Sequence, residues 1–401
     1  MPVGTFETSL IPDDLAKKSF AAAMMRYQPN GKCPLFGLTA DLNEETALQL
    51  EHGYWGKTMK FPKVTLNGAV ADGVATAFTV DTSEDILPGM ILRADSTGEN
   101  VLVIAVPDAT HITVRRAVGG AGAAIADNVN LWQVGNAFEE GSLRPAALNI
   151  IPERILNYTQ IFRNTWAVTG TSEATDVIAG GTIVAESKQD CAVFHSTAIE
   201  LSLLFGKKYL GTLNGMPFHT MGGLLEAIAT YAAANIVTLG ATTNWTQLEA
   251  AKDPLFDQTT DPKGGPERTS FVGGVALRVL NEIARKNSTY EVMTGETTWG
   301  LRYSQYKIPR GTFNVIEHPL LNAYGSGSSW SKMCVDTDLA TFGSAYMRGR
   351  KTKFKDFGMG SNAADDGIDA IGGTVTTEMT CLVKNPPANG VQYNYTAAAA
   401  G

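Results

Sequence analysis

The sequence predicts an α+β chain with a small all-β piece nested in it, and three patterns carry that expectation. Short apolar–polar alternations separated by turn residues crowd residues 64–134. One stripe of apolar residues at spacings of three and four runs through 183–206. Elsewhere short strands mix with a few helices, too few to cover both faces of a doubly wound sheet. At 401 residues the chain has room for roughly two or three domains.

Residues 1–50 read as an arm with little core of its own. Within it 15–25 is expected to form a short helix, because Asp13 and Asp14 favour a helix N-terminus. A brief apolar run follows at 35–38. Such arms order only when docked on something. Strands are then expected at 77–80, 90–94, 101–106, 111–115 and 129–134. Asn67-Gly68, Asp72-Gly73 and Gly119-Gly120 supply the turns between them. Several short strands in so little chain suggest a barrel or sandwich. This piece holds eight acidic and three basic residues, a net of -5 out of -8 for the whole chain.

Residues 135–171, GNAFEEGSLRPAALNIIPERILNYTQIFRNTWAVTGT, have no helical period. Their end, 160–169, alternates aromatic or branched residues with polar ones, as a strand does. The helix at 183–206 sets Cys191, Phe194, Ala198, Leu201 and Phe205 on one stripe. Lys188, Asp190, Ser196 and Glu200 take the other faces, and Glu200 is read as a surface or interface ion-pairing residue. Gly206 stops the helix, and Lys207 and Lys208 suit its negative end. Further helices are expected at 222–234 and 276–285, and strands at 290–293, 313–316 and 333–335. Residues 253–268, rich in Pro, Asp, Thr and Gly, read as a surface loop. A half-buried strand at 373–383 closes the pattern, and 394–401 read as a flexible tail.

Composition narrows the function classes. Apolar residues make up 44%, enough for a real core. Charged residues are only 18%, below the ~25% of ordinary domains. A chain with few charges either buries much of itself or gives surface to partners. No apolar run is long enough for a membrane helix, and Met1-Pro2-Val3-Gly4-Thr5 does not begin a secretory signal. Cys33, Cys191, Cys334 and Cys381 are too far apart for a zinc site and read as free buried thiols in a reducing compartment.

No phosphate-loop, nucleophile-elbow or paired-histidine metal motif occurs. The five histidines are scattered. The run from Gly119 to Ala124 lacks the helix N-terminus that a phosphate cradle needs, so it reads as a turn. Asp365, Asp366 and Asp369 fit no calcium loop and read as a solvated turn. No catalytic, cofactor or metal residue is therefore assigned. One charge run remains: Arg348, Arg350, Lys351, Lys353 and Lys355. On a strand the three lysines would share a face. The readings are DNA contact, a patch for an acidic neighbouring subunit, or a solvated face. The acidity of the whole chain favours the neighbour.

At this point the residues resemble a family. The order ITVRRAVGG (112–120), then Gly135, Asn136, Ala137, Glu140 and Gly141, then NYTQIF (157–162) and VTGT (168–171), resembles a group of tailed-bacteriophage major capsid (major head) proteins. TEMTCLVKNPPANGVQY (377–393) is similar to the family's closing segment. These proteins are similar in turn to the wider Hong-Kong-97-like capsid fold.

The resemblance implies an N-terminal arm (1–50) and an extended loop with limbs 51–62 and 135–172 that reach over a neighbour. It implies a β subdomain inserted at 63–134 and a peripheral (P) domain of 173–215 and 341–393 with its spine helix near 183–206. The axial (A) domain would be 216–340. It further implies pentamers and hexamers of an icosahedral shell that encloses double-stranded DNA without reading its sequence. Scaffold, portal and decoration proteins are expected partners, in the virion and, during assembly, the host cytoplasm. Competing readings are an encapsulin-like compartment shell, a decoration or tail-tube protein, and a hydrolase with a β accessory domain. The candidate subunit-interface residues are Lys57, Lys60, Glu139, Glu140, Arg144, Glu200, Arg348, Arg350, Lys351, Lys353 and Lys355. Lys57 and Lys60 are conceivable crosslink donors, but no partner Asn is identified, and crosslinking is not expected.

Overall fold

A computed structural model describes residues 33–42, 44–57, 61–175, 182–257, 267–286, 293–296, 302–323, 325–358 and 369–398. The helix expected at 15–25 and most of the strand expected at 290–293 lie outside these residues. The chain divides into two compact units, Met1–Tyr54 with Ile155–Gly401, and Trp55–Arg154.

The first unit is organised by the helix Ile183–Phe205. Thr182 caps it, its hydroxyl accepting the N–H of Ala185, and Glu186 sits in the first turn. The buried row is Cys191, His195, Ile199 and Leu203, with Glu200 and Leu204 beside it. The stripe expected from hydropathy is therefore rotated: Phe194 lies on the outside, 66% exposed. The reason is that His195 is satisfied inside. Its Nδ1 meets Asn164 Oδ1 at 2.9 Å and its Nε2 meets Thr377 Oγ1 at 2.7 Å. Burial pulls its pKa below the ordinary value, so the ring is neutral there.

This helix lies against a five-stranded sheet. Glu44–Ala47, Phe342–Met347, Ala370–Val383 and Gln160–Thr169 follow one another, and Lys353–Gly358 also pairs with Ala370–Val383. Gln160–Thr169 runs antiparallel to Ala370–Val383 in unbroken register, from Gln160 opposite Met379 to Thr169 opposite Ala370. Residues 160–169 of the limb expected over 135–172 thus belong to this sheet. The strand expected to seek a neighbour's edge finds its partner in its own chain.

A seven-stranded sheet completes the unit, in the order Ile236–Thr238, Gly390–Tyr393, Cys334–Thr337, Glu267–Val272, Gly311–Glu317, Arg302–Ile308 and Met293–Glu296. Helix Gly274–Lys286 buries Val275, Ala276, Val279, Leu280, Ile283 and Ala284, an i, i+1, i+4 row that packs on one face of the sheet. The opposite face, with Phe271, Ile316 and Val335, joins Ile199, Leu203, Phe342 and Met379 in one core shared with the first sheet.

Several expectations change here. Helix Pro34–Leu42 puts Leu35 and Leu38 into that core, and Glu44–Ala47 pairs parallel with Phe342–Met347. Residues 33–42 and 44–47 are therefore docked in their own chain rather than lacking a core. Gly390–Tyr393, expected beside the spine helix, belongs to the seven-stranded sheet. The stretch 394–398 is not a loose tail: Tyr395 is fully buried and Ala398 bridges Thr243. In the expected loop 253–268, Asp253–Phe256 is a 3-10 turn with Leu255 and Phe256 buried, and Glu267 already begins a strand.

The second unit holds a six-stranded sheet in the order Lys63–Thr65, Asn130–Asn136, Met90–Ala94, Asn100–Asp108, His111–Arg115 and Ala77–Thr79. The outermost strands meet: Leu66 bridges Val80, and Asn67 N–H donates to Thr79 O at 2.9 Å. The sheet thus closes on itself around Leu66, Phe78, Leu92, Val101, Ile112 and Leu131, which removes its edges. Inside, Arg116 makes two parallel bonds to Glu99, at 2.8 and 2.6 Å. The same carboxylate accepts the N–H groups of Ala117 and Ala123. These bonds fix the 117–123 turn and occupy the amides that a phosphate would need.

Candidate subunit interface

Exposed apolar residues are scattered over the described surface, but two stretches concentrate them. The first is the segment after Asn130–Asn136. Pro145 and Pro152 remove backbone donors and resist regular structure. Residues 143–152 form no helix or strand. Among the described residues, none hydrogen-bonds to their backbone. Yet Leu143 is 92% and Ile151 83% exposed, and Leu148 is exposed too. Free in water, such side chains lose the transfer energy that burial would return, ~2 kcal/mol each.

The second place is the hairpin formed by Tyr209–Leu213 and Met216–Thr220. Its turn is Asn214-Gly215, with φ of 51° and 76°, the left-handed pair that a two-residue hairpin requires. Tyr209, Leu213, Met216 and Phe218 share one face, and all are exposed. The hairpin is a feature the sequence reading missed. Asn-Gly between apolar runs was the signal that could have found it.

Within the stretches 51–62 and 135–172, expected as loop limbs, Glu51–Gly56 and Glu153–Tyr158 pair as a two-stranded sheet. Their root is held by Asn157, another residue without an assigned role in the sequence reading. Its Nδ2 donates to Gly222 O at 2.8 Å and Cys381 O at 2.9 Å, and its Oδ1 accepts the N–H of Gly222 at 2.7 Å and of Tyr158 at 2.9 Å. All four bonding positions of the amide are filled.

The candidate residues fare differently. Glu139, Glu140 and Arg144 are exposed beside the apolar segment, and Lys57 is exposed at the end of its strand. Lys60 lies outside the described residues. Glu200 is corrected. It is fully buried, and its carboxylate accepts the N–H of Leu35 at 2.9 Å, the N–H of Phe36 at 2.6 Å and Nε2–H of His318 at 2.6 Å. It caps the N-terminus of helix Pro34–Leu42 from 165 residues away. A group so enclosed cannot contact another subunit.

The basic run is not one strand face. Lys351 precedes the strand Lys353–Gly358 and pairs with Glu44 at 2.5 Å. Arg350 pairs with the buried Glu378, and Arg348 is exposed in the turn. Lys353 and Lys355 do share a face, opposite Thr376 and Thr374. Arg163, opposite Thr376 on the other side, joins them there. Only strand register reveals Arg163 as part of this patch.

Other polar clusters are internal. Lys252 meets both carboxylate oxygens of Asp336 at 2.6 Å within the seven-stranded sheet's core. Among the described residues no group of three His, Cys, Asp or Glu could hold a metal ion. No helix among them is long and apolar enough to cross a membrane. Charged groups paired inside and apolar groups shown outside define a subunit built to associate.

Comparison with known proteins gives the family. The model of the SU10 major capsid protein family matches residues 3–396. A major capsid protein of Pseudomonas phage PaMx41 is 36% identical over 396 residues, covering 96% of this chain and 93% of that protein. Solved structures to which the chain is similar include one of Mycobacterium phage Bobi, with 10% identity, 98% and 94% coverage of the two chains and a TM-score of 0.48. Another is the SrpI encapsulin complex of Synechococcus elongatus PCC 7942, with 9% identity, 96% and 95% coverage and a TM-score of 0.47.

The chain belongs to the SU10 major capsid protein family. It is a major capsid protein of a tailed phage, a structural component of the virion and not an enzyme.

Proposed function

We propose that this capsid protein is built on the Hong-Kong-97-like plan and forms pentamers and hexamers of an icosahedral shell around double-stranded DNA. In this reading the five-stranded sheet and helix Ile183–Phe205 are the P domain, and the seven-stranded sheet is the A domain. The strands Glu51–Gly56 and Glu153–Tyr158 are the limbs of the extended loop, which carries the six-stranded barrel as an insertion. The observation that carries the reading is residues 143–152: outside helix and strand, mostly apolar, exposed, and without backbone partners among the described residues. Such a segment is stable only when a neighbour covers it.

Lys57, Glu139, Glu140 and Arg144 lie at the rim of that contact. Arg163, Lys353 and Lys355 offer a basic face to an acidic neighbour. The chain's net charge of -8 suits a wall that must not hold packaged DNA tightly. Scaffold, portal and decoration proteins complete the set of partners.

Negative-stain imaging of the purified protein tests this. Shells, or rings of five and six subunits, are the expected result. A protein that stays monomeric at every concentration and salt tried, with and without its scaffold, would overturn the proposal.

A further inference from the structure

The hairpin Tyr209–Leu213 and Met216–Thr220 is a two-stranded sheet with apolar side chains in water, and its two edges are not equivalent. Around a two-residue turn, Leu213 and Met216 exchange backbone bonds, and so do Gly211 and Phe218. The residues between them, Leu210 and Thr212 on one strand, Pro217 and His219 on the other, turn their backbone groups outward. Pro217 has no N–H, which blunts the edge of Met216–Thr220. The edge of Tyr209–Leu213 keeps the donors of both Leu210 and Thr212. A third strand would therefore add on that side.

The chain itself contains a matching strand. Residues 146–151, Ala-Ala-Leu-Asn-Ile-Ile, lie between Pro145 and Pro152 and carry neither charge, Gly nor Pro. They are near the length of Tyr209–Leu213 and are not committed to a helix or strand of their own. Glu139 and Glu140 precede the segment, with Arg144 between them and it, while Lys207 and Lys208, both exposed, precede the hairpin strand, so the two carboxylates can meet the two lysines when the segment adds parallel to it.

We propose that residues 146–151 of a second copy of this chain add as a third strand to the Leu210–Thr212 edge of the hairpin. The inference rests on the shell reading above and names the surface on which the loop lands. Backbone bonds would supply affinity, and Leu148 and Ile150, which share one face of a strand, would cover the exposed face of the hairpin.

The experiment uses full-length protein with a photo-reactive benzoylphenylalanine replacing Leu210. Assemblies are grown from an equal mixture of light and 15N-labelled chains, illuminated and digested. The expected crosslinked peptides join position 210 to 143–152 and include light–heavy pairs. Same-label pairs alone would mean that the segment folds onto its own hairpin. Crosslinks confined to other regions would mean that a different surface covers it. Either result overturns the hairpin contact while leaving the shell reading intact. Failure of the wild-type protein to assemble at all would sink the shell reading and this contact with it.

A second variant needs no crosslinker. Thr212→Pro removes an outward donor at an exposed position. It should raise the concentration needed for assembly roughly tenfold or more, with an unchanged thermal melt of the unassembled chain. Thr212→Val, which keeps the N–H, should assemble as the wild type does. Equal assembly by both variants would also contradict the proposal.

Discussion

Glu200 and Ile151 invert the usual rule in opposite directions. One is a carboxylate with no exposed surface, the other an aliphatic side chain 83% exposed. The buried charge is answered inside its own chain: two backbone N–H groups and His318 surround it. The exposed aliphatic is not answered among the described residues. The same contrast separates Lys252, enclosed with Asp336, from Leu143 and Met216, which face water. Buried pairs fix how one chain closes on itself, because a charge left alone there is intolerable. Exposed apolar segments fix how one chain meets another.

The contrast can be broken from either side. The largest effect is expected from Leu148→Glu with Ile151→Glu. This pair should abolish shell assembly in electron micrographs while leaving the unassembled chain's melting curve unchanged, since neither side chain is in a core. Glu200→Ala should do the reverse to the single chain. Removing the cap of Pro34–Leu42 and the partner of His318 should cost about 3–5 kcal/mol, read by urea denaturation of unassembled protein. Glu200→Gln should cost less, because the amide oxygen still accepts.

The barrel should fail first in acid. Its Glu99 carboxyl is held at about 2, against an ordinary 4.5, by the bonds from Arg116, with burial opposing. A carboxyl lowered in this way stabilises the fold above its unfolded value and loses that contribution as pH falls toward the folded one. About 3 kcal/mol should therefore drain from the barrel between pH 4.5 and 2. Hydrogen exchange at Val101 and Ile112 should follow it, and Arg116→Ala should weaken the dependence, leaving the part that the Ala117 and Ala123 amides supply. The smallest effect belongs to Lys351→Ala. Its pair with Glu44 is largely exposed, so less than about 1 kcal/mol is at stake.

The strands of the barrel and the helix Ile183–Phe205 were legible because alternation and turn residues are local signals. What escaped depends on distant partners. His195 and Glu200 look like surface residues by hydropathy, and partners distant in sequence admit them to the core: Asn164 and Thr377 for the first, His318 and the amides of Leu35 and Phe36 for the second. Residues 33–50 and 394–398 have the composition of loose ends, yet Leu35, Leu38 and Tyr395 are buried. The basic patch needed register: Arg163 and Lys353 meet only across Thr376. The apolar hairpin was legible in Asn214-Gly215 but was passed over among mixed helix and strand signals. The family was legible in the words from Ile112 to Thr171, and the comparisons place the chain there.

Backbone amides of residues 143–152 have no hydrogen-bond acceptor among the described residues, so their exchange with solvent reports directly on whether a neighbour covers them. Hydrogen exchange should be measured on this segment in unassembled protein and in shells. The account predicts exchange near the unstructured rate before assembly and strong protection afterwards. Equal, rapid exchange in both states would contradict it.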